Sequence, residues 1–496
     1  MKHRFITASV LAASTLAVLF VIGAVRLAAA RPAAPSATLT VTTSVDLIAD
    51  DGLCSLREAV VAANTDTAFH DCPAGSGADT IVFDAALPQP LTIVLTTTGA
   101  NEDAALTGDL DLIGRVTISG TGRSTLAIDG HNADRVFEVR PASTVTLTGV
   151  TIQHGSSGPL LDGGGAKVLG TLNLHHSLIT HNAGGGLYTD GGALLLSYAD
   201  VISNTGAPGI RLINPGATLV FADGAIGDNA VGGVTSYQGS VTLTRCTVEN
   251  NRGGGLYNAS AQGIGVNTPM VVGSCVVRNN STTGSGGGAH NTGPGARLSI
   301  NNSSFLSNTA GVGGGAVYNE NILIIQGSTF AYNHAGGGAA IRHIFGTLDL
   351  KNSTVSDNVA EDNAGGLYAS DSATLLNVTI AGNTVDGDGG GVTVDTAFIT
   401  IKNSIVADNQ SGTAADGNCF LANGGSITSL GYNLDGGDGR DLAKSLRDDH
   451  RAIAKACGKA VAVAQEAGDE GTADLLIGRS QEHDKTAWML DAYAAK

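Results

Sequence analysis

Charged residues are scarce in this chain of 496 residues: they make up 14%, and Asp and Glu outnumber Lys and Arg by 44 to 27. The formal charge of −17 argues against polyanionic substrates and nucleic acid as partners. After residue 30 no apolar run is long enough to span a bilayer. The leucine spacing of leucine-rich repeats is also missing. Aromatic residues are few, at 4% with a single Trp, whereas glycine is abundant at 70 residues.

One short pattern recurs ten times between Thr171 and Asn409. Its anchors are Asn182, Asn204, Asn229, Asn251, Asn280, Asn308, Asn333, Asn358, Asn383 and Asn409, spaced 22 to 29 residues apart and 25 or 26 between the last five. Three residues before each anchor stands an apolar strand former, from Ile179 and Val201 to Ile380 and Val406. Eight before, the position is again always apolar, from Leu174 and Leu196 to Leu375 and Ile401. Positions ten and eight before the anchor share one strand face, and five and three share the next, which is the period-two spacing of strands. A glycine run and a third short strand follow most anchors, as in Gly253-Gly254-Gly255-Leu256-Tyr257.

One coil of three short strands cannot bury its own inward face, so coils must stack as a solenoid. The pattern predicts a mainly β fold: a right-handed parallel β-helix over 86–435, in which like residues lie above like. The anchor asparagines then form a ladder at one corner, each side-chain amide bonding the next turn.

Residues 1–30 read as a secretory signal: Lys2, His3 and Arg4 precede an apolar run, and Ala28-Ala29-Ala30 offers a cleavage site. An uncleaved N-terminal anchor is the alternative. A linker at 31–37 follows. In the stretch 38–85, Ser55 and Glu58 form a capping-box pair before Leu56, Ala59, Val60 and Ala63 at helical spacing. This short helix caps the open end of the first coil. Cys54 and Cys72 bracket it and are candidates for a disulfide in an exported protein.

The run Cys54-Ser55-Leu56-Arg57-Glu58-Ala59 resembles the signature of the bacterial CSLREA-domain proteins. Asp79-Thr80-Ile81-Val82-Phe83, Ile128-Asp129-Gly130, Thr146–Ile152 and Leu430-Gly431-Tyr432-Asn433-Leu434 extend the likeness over roughly 38–435. The resemblance implies a pectin-lyase-like right-handed β-helix on an exported protein. It implies no defined activity.

Composition changes at Gly439. Residues 439–496 hold 19 charged residues and 5 glycines, against 52 and 65 in the preceding 438. Leu442, Leu446, Ile453, Cys457, Val461 and Ala464 form one helical stripe, ended by Gly468. Leu475, Leu476, His483, Ala487, Trp488 and Leu490 form another. Ala467–Leu476 and His483–Leu490 resemble the last two helices of the Dps-type mini-ferritins. The segment carrying that family's ferroxidase ligands has no counterpart here, and its cytoplasmic cage conflicts with a signal sequence. A fusion, a frameshift or an assembly error joining two genes accounts for the tail.

Few constellations carry chemistry. Galacturonan hydrolases of this fold place paired aspartates, His-Gly and Arg-x-Lys on neighbouring coils. Here His154-Gly155 has no aspartate pair beside it, and Arg-Ile-Lys is absent. Glu361, Asp362, Asp386 and Asp388 follow the anchor in consecutive turns, with Asp416 beyond, and are the calcium candidates. His154 and His181 precede the anchor position in consecutive turns and read as exposed side chains rather than a metal pair. Tyr188, Tyr257 and Tyr368 follow equivalent glycines but not in adjacent turns, which argues against an aromatic stripe. Cys246 and Cys275, five before consecutive anchors, should point inward and lie side by side.

The sequence therefore predicts an exported, non-enzymatic, adhesin-like surface scaffold, with no catalytic or cofactor-binding residue assigned. Its expected partners are extracellular glycans or other surface components, not nucleic acid, and not a membrane once the signal is removed. A polysaccharide lyase or hydrolase is the alternative. A ferritin-like iron-binding protein, supported by 439–496 alone, is the third reading.

Overall fold

The computed structural model describes residues 36–99, 102–160, 162–260, 268–413, 417–436 and 439–494. The expected export signal, nearly all of the linker and Asp416 lie outside the described residues. Among those described, parallel strands build three long sheets of 15, 14 and 13 strands, here called faces I, II and III. A representative turn runs through Thr347–Lys351 on face I, Thr354–Ser356 on face II and Leu367–Ala369 on face III. Each strand lies in register on the next, as Leu323 on Leu348 and Ile325 on Leu350.

Register follows from the inward rows. The residues eight before each anchor sit directly over one another on face I, Leu174 on Leu196 and Leu375 on Ile401 at the two ends. The residues three before form a second row on face II, where Phe305 and Phe330 stack with centroids 5.3 Å apart. All twenty are buried, and each contributes about 1.5–3 kcal/mol on leaving water. A slip of one residue would turn both rows outward, so the register is strongly specified.

The corner between face II and the anchor is made by one residue in the left-handed region. His181, Ser203, Asp228, Asn250, Asn279, Ser307, Tyr332, Asp357, Gly382 and Asp408 hold it, with φ between 54° and 68°. Nine of the ten are not glycine, so the conformation costs about 1–2 kcal/mol at each. The ladder described below offsets that cost.

Two expectations need correction. A repeat has three strands only in the early turns. From Ser281 onward a fourth strand appears between anchor and glycines, and six of these stack as a ribbon from Ser281–Thr282 to Gln410–Ser411. Extra residues after the anchor give those turns enough chain for it. The solenoid also starts before residue 86. Thr38–Val41 and Ala78–Phe83, inside the stretch assigned to the cap, are the first two strands of face I. The helix α1 (Leu56–Thr65) is an excursion between them.

In the cap each residue of the signature has a packing or bonding role. Cys54 is bonded to Cys72. Ser55 caps α1 and, with Glu58, completes the capping box. Leu56 and Ala59 are buried. Arg57 is fully buried and pairs with both oxygens of Asp46, at 2.7 and 3.1 Å, while donating to the carbonyls of Ala105 and Gly108. Asp46 in turn accepts the amides of Thr96 and Thr97. One ion pair thus ties the cap to the loop that leads into the next turn.

At the other end α2 (Gly439–Glu466) and α3 (Glu470–Ala494) form a hairpin, turning at Gly468 with φ 70°. Among the described residues its fully buried positions are Ala454, Ala464, Ala473 and Ala487, with Leu446, Val461, Leu476 and Leu490 half-buried. Ile453, Leu475 and Trp488, expected on the apolar side, are exposed. Two helices can cover only one stripe of each other, and the remaining apolar flanks face solvent.

Candidate functional site

The ten anchors form an unbroken ladder. In each, the backbone N–H and the side-chain amide both donate to Oδ1 of the next anchor, as Asn182 does to Asn204 and Asn383 to Asn409. The same amide reaches the carbonyl of the turn before, as Asn333 does to Phe305. Gly155 donates into the first anchor, and Asn409 donates into Asn418 at the far end. A second ladder, not anticipated, joins Asn258, Asn291 and Asn319 on the buried side of the face III strands and ends on His343. There Nδ1 of His343 accepts from Asn319, leaving Nε2 to donate to the Ser372 carbonyl, and burial lowers the pKa of this imidazole. These asparagines hold turns together and face no solvent.

Cys246 and Cys275 are buried free thiols with sulfurs 2.7 Å apart. The bond to Cys275, together with burial, pushes the Cys246 thiol up. The calcium candidates, by contrast, do not converge. Asp388 lies opposite Asn363 and is bonded by the Thr413 hydroxyl, Glu361 approaches His334, and Asp362 and Asp386 project into solvent. Between these turns the pairing keeps one offset, which sets Asp388 against Asn363 and Asp362 against Gly387 rather than against another acid. His154 and His181 do approach, with ring centroids 5.9 Å apart, but each is bonded by its own partner, Asp129 and Thr180.

The outward side of face III holds what the sequence did not reveal. One column runs through Asp111, Glu138, Lys167, Tyr188, Arg211 and Thr235, each opposite the next. It continues through Tyr257, His290, Tyr318, Arg342, Tyr368, Thr393 and Phe420. The turns between the three tyrosines of the repeat are thus filled by Arg211, Thr235, His290, Tyr318 and Arg342, and the stripe is continuous. The expectation against an aromatic stripe is corrected, because partners in a parallel sheet are set by register and not by residue type.

Neighbours on the stripe touch. Arg211 lies 5.9 Å from the Tyr188 and Tyr237 rings, and Tyr237 packs on Tyr257 at 5.6 Å. Tyr257, His290 and Tyr318 meet edge to face at 5.2 and 4.9 Å. Arg342 covers Tyr368 at 4.8 Å, and the Tyr368 hydroxyl donates to Asp395 at 2.7 Å. Burial and that carboxylate push the Tyr368 phenol up to about 12. Burial lowers His290, so its ring is neutral near pH 7.

At the charged end of the column a cleft of about 470 Å³ opens, lined among others by Asp109, Arg135, Glu138, Arg140 and Lys167. Arg135 pairs with Asp109 and Glu138, Arg140 with Asp103 and Glu138, and Lys167 approaches Glu138 and Asp162 at 3.5 Å. Burial, reinforced by neighbouring carboxylates, raises Asp109 to about 8 and Asp111 to about 6. Asp103, Asp111 and Glu138 are the single group of three metal-ligating side chains that converge among the described residues. The Arg140 guanidinium approaches all three, at 2.8, 3.8 and 2.5 Å, and takes the position a cation would need.

A family model for a right-handed β-helix region matches residues 106–271. The solenoid has that fold. A ferritin-like domain model matches 421–496, which spans the last strands of the β-helix and the α2–α3 hairpin. Ferritin-like domains are four-helix bundles, and the described residues supply two of those helices. The signature at Cys54–Ala59 lies outside both matched stretches. No curated protein and no solved structure matches the chain. A β-helix is shared by enzymes and non-enzymes, so the fold alone assigns no chemistry.

Proposed function

We propose that this protein is an exported, non-enzymatic β-helix that serves as an adhesin-like surface scaffold, presenting its outer faces to glycans or other surface components. The carrying observation is that the polar groups are bonded to one another. The anchors bond the next turn, Arg57 bonds Asp46 and two loop carbonyls, and Arg135 and Arg140 pair with Asp109 and Asp103, so none of them faces an open site without a partner. The Cys54–Cys72 bond supports an oxidising compartment.

One observation favours polysaccharide cleavage instead. Asp109, at about 8, keeps its proton at neutral pH in a cleft lined by two arginines and a lysine, as a general acid requires. Incubating the full chain with acidic and neutral polysaccharides separates the two readings. Unchanged chain length supports the scaffold, whereas new reducing ends or unsaturated sugars, lost in Asp109→Asn, would overturn it. Cell fractionation tests export, and a cytoplasmic product would sink that part.

A further inference from the structure

The stripe on face III has three properties that together select a ligand. The first is shape. From Tyr188 to Tyr368 it covers eight consecutive rungs, about 34 Å at the rung spacing of a parallel sheet. At its second to fourth rungs it opens into a cleft of about 310 Å³ lined by Arg211, Tyr237, Tyr257 and Pro208, room for one sugar-sized ring. Tyr237 is 42% exposed beside it.

The second property is chemistry. Tyr257, His290, Tyr318 and Tyr368 are half-buried, Tyr188 is buried, and donors are held in place beside them: Arg211 and Arg342 lie against tyrosines, and the Tyr318 and Tyr368 hydroxyls are oriented by Glu320 and Asp395. Rings give apolar contact and a fixed polar tip, and a guanidinium over a ring presents its N–H edge outward. Pyranose rings, apolar on their faces and hydroxylated at their rims, match that combination. A 1,4-linked chain also advances by close to one rung per sugar.

The third property is charge. Among the outward positions of these rungs the two arginines are set against Asp190 and Glu320, and Asp395 stands on the rung that follows. Cations do not exceed carboxylates, so nothing draws a polyanion. A peptide strand gains little here either, because the backbone of an interior strand is paired on both sides and offers no edge to extend.

We propose that the stripe from Tyr188 to Tyr368 binds one chain of a neutral polysaccharide laid along the solenoid axis. This deepens the scaffold reading by naming the glycan class and the face that takes it.

The test is calorimetric titration of the full chain with neutral β-1,4-linked hexamers of glucose, mannose and galactose, and with hexagalacturonate. At least one neutral hexamer should bind, at least tenfold tighter than its dimer and with little dependence on salt. Tyr237→Ala with Tyr257→Ala should weaken that binding at least tenfold. Val220→Thr, on the exposed side of face I, should leave it unchanged, and far-UV spectra should show both variants folded. Absence of neutral binding, preference for hexagalacturonate, or full binding by the folded double variant would each overturn the proposal. Product analysis in the same cell keeps the two readings apart. Cleavage with stripe-dependent binding removes the scaffold but keeps the stripe, whereas neither cleavage nor binding removes the stripe alone.

Discussion

Oδ1 of Asn358 accepts two hydrogen bonds from Asn333, both 2.9 Å long, one from the backbone N–H and one from the side-chain amide. Asn333 in turn accepts the same pair from Asn308, at 2.9 and 3.0 Å. Every such group is buried, so a missing rung leaves the two Asn308 donors without their acceptor and Asn358 Oδ1 with one donor fewer.

Asn333→Leu should therefore destabilise the solenoid by on the order of 3 kcal/mol, although Leu has the same branched outline. An exposed substitution such as Thr347→Leu should change stability by less than about 0.5 kcal/mol. Thermal midpoints of the two variants decide the point, and equal shifts would mean that the ladder is not a main source of stability.

The Arg57–Asp46 pair makes the cap a second sensitive point. Removing one partner of a buried ion pair leaves the other charge unmet, at a cost of about 3–5 kcal/mol. Arg57→Met should show it, and Arg57→Lys should not rescue it, because an ammonium cannot span both Asp46 oxygens and two carbonyls. Hydrogen exchange of α1 and the first turns is the readout. Protection retained in Arg57→Lys would show that charge alone suffices.

How far the sequence reaches is visible at three places. The anchor ladder and the inward rows are legible because each turn repeats one residue type at one offset, and stacking leaves little choice. The second ladder, through Asn258, Asn291, Asn319 and His343, is hidden because loops of unequal length precede it and a histidine ends it. The stripe is hidden for the same reason, compounded by mixed residue types. Tyr188, Arg211 and Thr235 share nothing but position, and position depends on the pairing of strands. The charged cleft lies before Thr171, where the regular pattern begins, and gathers residues from loops as well as strands.

Asp109 provides a pH test. Its folded pKa is raised from 3.8 to about 8, so the native state binds the proton more tightly than the unfolded chain. Stability is then highest below the unfolded value and declines as pH rises from 3.8 to about 8. Asp109→Asn, which cannot ionise, should flatten that decline and raise the melting temperature relative to the parent at pH 9 more than at pH 5. An equal shift at both values would mean that Asp109 is ionised throughout.

The last prediction uses the single Trp of the chain, Trp488, which lies on α3 and is 70% exposed. Its fluorescence reports the hairpin alone, while the far-UV strand signal reports the solenoid. The two bodies are stabilised differently. The solenoid buries long rows of Leu, Ile, Val and Phe, whereas the described residues of the hairpin fully bury only alanines, with Leu475 and Met489 left in water. Among the strands, α2 contacts chiefly the last of face II, Leu434–Gly436. A helix pair with so small a core gains little from packing. Heating should therefore give two transitions, with the Trp488 signal changing first. Deletion of residues 439–496 should leave the strand signal and its midpoint unchanged within about 2 °C, since ΔΔG near zero moves Tm little. Coincident transitions, or a solenoid that melts early once the hairpin is removed, would show that the hairpin acts as the C-terminal cap of the β-helix and not as an appendage to it.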